Sequence, residues 1–82
     1  MIVLDGARMD SREALHAELK AKLSLPDYYG ANLDALNDCL SERRGRELVV
    51  IEDAAAFLAA NDGYAARLLR VLGDNGMQVL LD

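Results

Sequence analysis

Leu25-Pro26-Asp27-Tyr28-Tyr29-Gly30-Ala31-Asn32-Leu33-Asp34-Ala35-Leu36-Asn37-Asp38-Cys39-Leu40 is the stretch on which the reading of this chain turns. Pro26 stops or redirects any helix that reaches it, because its ring removes an N–H donor and crowds the preceding turn. Two adjacent tyrosines follow, in a loop closed by Gly30. From about Asn32 to Ser41 the apolar residues recur at helical spacing. At about 100° per residue, Leu33, Leu36, Cys39 and Leu40 share one side, while Asp34 and Asp38 lie roughly opposite, about 40° apart. Only small or short polar residues surround the two carboxylates: Ala31, Ala35, Asn37 and Ser41. The outer face of this helix is therefore acidic, low in relief and stiff.

Outward from this segment, three short apolar runs read as strands: Ile2–Leu4, Leu48–Ile51 and Gln78–Leu81. Val and Ile dominate the first two, and none alternates cleanly with polar residues, which suits strands covered on at least one face. Helical patterns lie between them. Asp10 with Glu13 can form a capping box ahead of a helix from about Ser11 to Leu23, with Leu15, Leu19 and Leu23 on one face and Glu18 one turn before Lys22. Glu42 to Glu47, with Arg43, Arg44, Gly45 and Arg46, reads as a polar loop. Asp53 is placed to cap a third helix over Ala54 to Ala60, and Asn61-Asp62-Gly63 is a turn signal. A fourth helix over about Tyr64 to Leu72 buries Leu68, Leu69, Val71 and Leu72, and Gly73 to Gly76 leads into the last strand. Alternation of this kind predicts an α/β fold in one domain over residues 1–82, a three-stranded parallel sheet packed with helices.

Composition narrows the function. The chain has 82 residues, 14 acids against 9 bases and a net charge of −5, which argues against nucleic acid as a partner, since that surface must be basic. An acidic surface suits a basic protein partner, and it equally keeps a small domain soluble. Cys39 is the only cysteine, so a disulfide framework and a structural zinc site are both excluded; a lone thiol suits a reducing cytoplasm. Asp5, Arg8 and Asp10 interrupt the first residues before an apolar stretch forms, which argues against a signal peptide, and no apolar run approaches the length of a membrane span.

The acidic face is not what stability alone selects. Like charges at i and i+4 repel by a few tenths of a kcal/mol. Asp34 recovers some of this near the helix N-terminus, whereas Asp38 sits toward the C-terminus, where the macrodipole disfavours an anion. An ordinary solvated face carries such a pattern, and so does a docking face for a cationic cleft. Tyr28 and Tyr29 cannot easily point the same way, so one is expected in the core and the other at the surface beside the carboxylates, as in a binding hot spot.

The same sixteen residues resemble the signature of the barstar family of intracellular ribonuclease inhibitors, with the aromatics, turn and carboxylates of YYG-x-NLDAL-x-DCL in one register. The resemblance extends more loosely over the whole chain. It implies a compact parallel sheet with helices, no catalysis and no cofactor. It also implies that the residue at Asp38 enters a nuclease active site where a substrate phosphate would sit, supported by Tyr28, Asn32 and Asp34, with Ala31, Ala35 and Asn37 completing the face. The expected partner is a basic ribonuclease bound 1:1, a small microbial guanyl-specific enzyme or a related toxin, with no nucleic acid, membrane or small-molecule substrate. Three departures accompany the match. Asn37 stands where familiar members carry tryptophan; Glu42-Arg43-Arg44 replaces a glycine and an aromatic; and Ala65, Ala66 and Arg67 occupy the neighbourhood of a supporting acid.

Other readings use the same residues. Asp34 and Asp38 as general acid and base would need a pocket to tune them. A magnesium site from Asp27, Asp34 and Asp38 would need a phosphate substrate. A non-inhibitory interaction module, an adaptor or subunit with a different partner, is compatible with the departures. His16, amid a charged helix, is expected at the solvated surface. Cys39 is expected as a small core residue, and Gly73-Asp74-Asn75-Gly76 as a turn, not a phosphate loop.

Overall fold

A computed structural model describes residues 1–43 and 47–82. Arg44, Gly45 and Arg46 of the expected polar loop lie outside the described residues. The chain runs β1 (Ile2–Asp5), a 3₁₀ turn (Gly6–Arg8), α1 (Arg12–Leu23), α2 (Leu33–Ser41), β2 (Leu48–Glu52), α3 (Ala54–Asp74) and β3 (Gln78–Leu81). The three strands form one parallel sheet in the order β1-β2-β3, as the alternation of apolar runs and helices predicts.

Register explains the core. Ile2, Val49 and Val79 align across the sheet, as do Leu4, Ile51 and Leu81, and side-chain alternation puts both rows on one face. Leu4, Val49 and Ile51 are fully buried there, with Leu15, Leu19, Leu36, Phe57, Leu68 and Leu72 from the helices in the same core. The intervening row, Val3, Val50 and Leu80, runs from half-buried to exposed, so the helices cover one face of this sheet. Gly6 follows β1 where a Cβ would come within 2.4 Å of the Glu52 carbonyl oxygen and 2.7 Å of that of Asp53. Only glycine allows the backbone after β1 to pass this close to the end of β2.

Two local expectations are corrected. Ser11, not Asp10, caps α1: its hydroxyl accepts from Ala14 N–H at 3.1 Å, and it stands at the N-cap, one residue before the helix. Asp53 precedes α3 at φ 52 and ψ 46 with no side-chain capping bond; its carbonyl accepts from the N–H groups of Ala56 and Phe57 instead. The expected third and fourth helices both form, as the two halves of α3, and they meet at the expected turn, where Asp62 takes the non-helical φ 46 and ψ −125. Asn61 turns inward beside the kink and donates to the carbonyls of Met9 at 2.6 Å and Phe57 at 2.8 Å, so helix resumes after one irregular residue. On this second half Leu68 and Leu72 are buried, while Leu69 and Val71 are half-buried against the core. Gly73 and Asp74 extend the helix beyond its expected end. The Glu18–Lys22 pair forms at 3.1 Å, and Glu18 also accepts from Asp5 N–H at 2.8 Å, tying α1 to β1.

Ser24 ends α1 in the left-handed region, at φ 53 and ψ 48, with its side chain exposed. A residue with a Cβ is disfavoured there and glycine is not. Ser24→Gly is expected to raise stability by about 0.5–1 kcal/mol, read as a higher urea midpoint at unchanged denaturant slope.

Candidate functional site

The segment between α1 and α2 is a structured loop. Tyr29 N–H donates to the Pro26 carbonyl at 2.9 Å, closing a tight turn. Asn32 is the N-cap of α2: its side-chain oxygen accepts from Ala35 N–H at 2.7 Å, and its amide nitrogen donates to the Gly30 carbonyl at 3.2 Å. Ala31 lies between them at φ 54. The Asn32 side chain thus ties the last turn of the loop to the first turn of α2.

The tyrosines divide as expected. Tyr28 is 83% exposed, whereas Tyr29 packs against the core. What holds Tyr29 overturns the expectation for His16, which is not at the surface but 2% exposed. Its Nδ1 meets the Tyr29 hydroxyl at 2.5 Å and its Nε2 meets the Tyr64 hydroxyl at 2.6 Å. A neutral imidazole donates through one nitrogen and accepts through the other, and a phenol can answer either. Both polar ends of the ring are therefore satisfied out of water. Burial lowers the His16 pKa from its ordinary value. Burial also raises that of the Tyr29 phenol, with smaller contributions from Tyr64 and Cys39.

On α2, Leu33, Leu36 and Leu40 are buried, and Asp34, Asn37 and Asp38 are exposed, with Ala35 half-buried between them. Tyr28, Ala31 and Asn32 are exposed at the start of the same surface. All seven sequence-predicted residues are thus in or adjoining one helix and its leading loop. Asp38, Tyr28, Tyr29, Ala35, Cys39 and Glu42 line a shallow depression on the loop side of α2. Cys39 is half-buried, against the core on one side and at this depression on the other. Asp27, Asp34 and Asp38 do not gather into a group that could hold a metal among the described residues.

Comparison with known proteins bears on this arrangement. The family model described as "Barstar (barnase inhibitor)" matches residues 1–79. The chain belongs to the barstar family. A Bacillus subtilis (strain 168) protein named "Putative ribonuclease inhibitor YrdF" is 58% identical over 40 residues. That match covers 49% of this chain and 44%, less than half, of the relative's own length.

Within the barstar family frame, the cations matter. Arg43, one of the residues that depart from the family pattern after α2, is tied down: it donates to Glu47 at 2.7 and 3.1 Å and to the Leu23 carbonyl at 2.7 Å. Asn37, where tryptophan is familiar, accepts at 2.9 Å from the side chain of Asn75, which closes α3. Of the arginines at this surface, only Arg67 was expected near a supporting position; Arg12 and Arg70 were not. Arg12 and Arg67 flank the Tyr64 ring at 4.3 and 5.7 Å from its centroid. Arg67 and Arg70 line a groove with Asp34 and Asn37 on the α3 side of α2. The i,i+3 spacing of Arg67 and Arg70 put them on one helix face, but nothing local said that α2 lies beside it.

The His16 contacts give a pH dependence. With a folded pKa below the unfolded value of about 6.5, the unfolded chain binds more protons, so stability rises with pH across the gap. The His16 contribution is therefore fully present above about pH 6.5 and is lost as pH falls from there through the folded pKa. His16→Gln is expected to be less stable at pH 8 and to show a flatter decline in denaturation midpoint between pH 7 and 5 than the unmodified chain.

Proposed function

We propose that this chain inhibits a ribonuclease by occupying its active site with α2 and the preceding loop, with Asp38 as the central group. Family membership supports inhibition of a ribonuclease. The observation that carries the mechanism is the exposed pair Asp34 and Asp38, which makes no ion pair among the described residues. They stand on a helix whose entry is fixed by Asn32 and whose loop is anchored through Tyr29. A nuclease active site must hold positive groups around a phosphate. A carboxylate on a rigid helix enters it with little entropy to lose, and exclusion of water strengthens the charge-assisted hydrogen bonds that form. The exposed Tyr28 ring beside Asp38 supplies an aromatic contact at the edge.

The target in this reading is a small basic microbial ribonuclease, guanyl-specific or a related toxin, bound 1:1 in the cytoplasm. The inhibitor itself performs no catalysis. No described helix is long and apolar enough to cross a membrane, and the single folded unit of residues 1–82 is taken as sufficient for binding. Asn32 acts by holding the loop, because both polar atoms of its side chain are already engaged there.

The test is inhibition titration against small microbial ribonucleases with paired variants. Asp38→Ala is expected to weaken inhibition by about 3–5 kcal/mol, the general cost of leaving buried charges unpaired. The isolated protein should lose no stability, since repulsion and an unfavourable dipole contact go with the carboxylate. Asp34→Ala is expected to do less, being nearer the helix start. Near-unchanged inhibition by folded Asp38→Ala rejects the mechanism.

A second expectation concerns salt. Association steered by Asp34 and Asp38 should slow steeply as ionic strength rises, and dissociation should change much less. Stopped-flow mixing at several salt concentrations reads both; an on-rate indifferent to salt contradicts steering.

A further inference from the structure

The surface that presents Asp38 is not uniformly acidic. On the loop side of α2 stand Asp38, Glu42 and the two tyrosines. On the α3 side stand Arg67 and Arg70, with Asp74 at the end of the helix, lining the groove whose other wall includes Asp34 and Asn37. Arg12 joins Arg67 around Tyr64, beside the first residues of α2. Arg12, Arg67 and Arg70 are all exposed. No carboxylate of the described chain lies within ion-pair distance of any of the three. The residues outside the description, Arg44, Gly45 and Arg46, contain no acid.

These cations are costly if the partner is positive everywhere. A nuclease with an unbroken ring of lysine and arginine around its phosphate site would attract Asp38 and press like charge against Arg67 and Arg70. Complementary potentials across an interface set partner choice and encounter rate, and like-charge juxtaposition rejects wrong partners. The favourable arrangement is a cationic centre for Asp38 flanked on one side by carboxylates.

We propose that the ribonuclease recognised by this chain carries an acidic strip on the side of its active site that meets α3, and that Arg67 and Arg70 select for it. This rests on the inhibitory reading above and adds the charge pattern of the target. Arg67 and Arg70 are the selecting pair because they line the groove directly beside Asp34. Arg12 adds a third cation, set over the same Tyr64 ring as Arg67.

The experiment compares two sets of purified small microbial ribonucleases, one with an uninterrupted cationic rim and one with paired carboxylates beside the phosphate site. Association rates and inhibition constants are measured for the full chain and for Arg67→Glu/Arg70→Glu, Arg70→Glu and Asp38→Ala. The unmodified chain is expected to favour the mixed-rim set by about tenfold or more, and the double variant to reverse that ranking. Arg70→Glu, which leaves the two guanidinium groups over the Tyr64 ring in place, should shift the ranking the same way with only a small fall in denaturation midpoint, from the like charge added beside Asp34 and Asp74. Asp38→Ala should weaken binding to both sets and leave the ranking alone. A preference for the uninterrupted rim, or a ranking untouched by charge reversal, overturns the proposal while a damaging Asp38→Ala upholds the inhibitory reading. Inhibition of neither set, by a chain that is folded, overturns both.

Discussion

The imidazole of His16 is the point at which three parts of the molecule are fastened. It belongs to α1, its Nδ1 reaches Tyr29 in the loop before α2, and its Nε2 reaches Tyr64 in α3. A hydrogen bond of this kind contributes only about 1 kcal/mol net, but a buried polar atom left without its partner costs about 1–3 kcal/mol. The ring therefore acts as a constraint more than as an adhesive. Any arrangement of the loop that withdraws the Tyr29 hydroxyl leaves a buried nitrogen unanswered. The exposed Tyr28 and the acidic helix inherit their placement from that demand, since both follow from where Tyr29 is held.

A second tension runs along α2. Its inner side is three buried leucines and its outer side gathers like charges. Asn32 offsets part of this by capping the helix, and Asp34 lies close enough to the N-terminus to be favoured there. Asp38 has no such compensation within its helix. A stability cost of tenths of a kcal/mol, held in place by a deep core and a fixed loop, is small beside what a desolvated carboxylate contributes at an interface. Local frustration in this helix and rigidity around it are two aspects of one design.

What was legible in the sequence follows the range of the interactions concerned. The apolar runs at Ile2, Leu48 and Gln78 marked the strands because a strand announces itself within a few residues. The acidic face of α2 was equally local, arising from residue spacing alone. His16 was misread because its partners lie 13 and 48 residues away, and the charged residues around it in α1 suggested water. The break at Asp62 was legible because Asn-Asp-Gly is a local turn signal, whereas its anchor was not: Asn61 reaches back 52 residues to the Met9 carbonyl. Ser11 took the capping role assigned to Asp10 through a shift of a single residue, which pattern matching cannot resolve. Arg67 and Arg70 were visible as residues but not as neighbours of Asp34, because packing of α2 on α3 is a tertiary fact.

Parallel pairing on both sides of β2 has a kinetic corollary. Neither β1 with β2 nor β2 with β3 can begin as a hairpin, since a helical crossover intervenes in each case. The sheet has no local nucleus, and loop-closure entropy must be met before the first ladder hydrogen bond is made. The helices, by contrast, can form transiently as soon as their own residues are free. Early in refolding, α2 would therefore carry its leucines exposed, waiting for a central strand to which nothing yet attaches. Chain collapse has to bring that strand to the helices before the sheet can close around it.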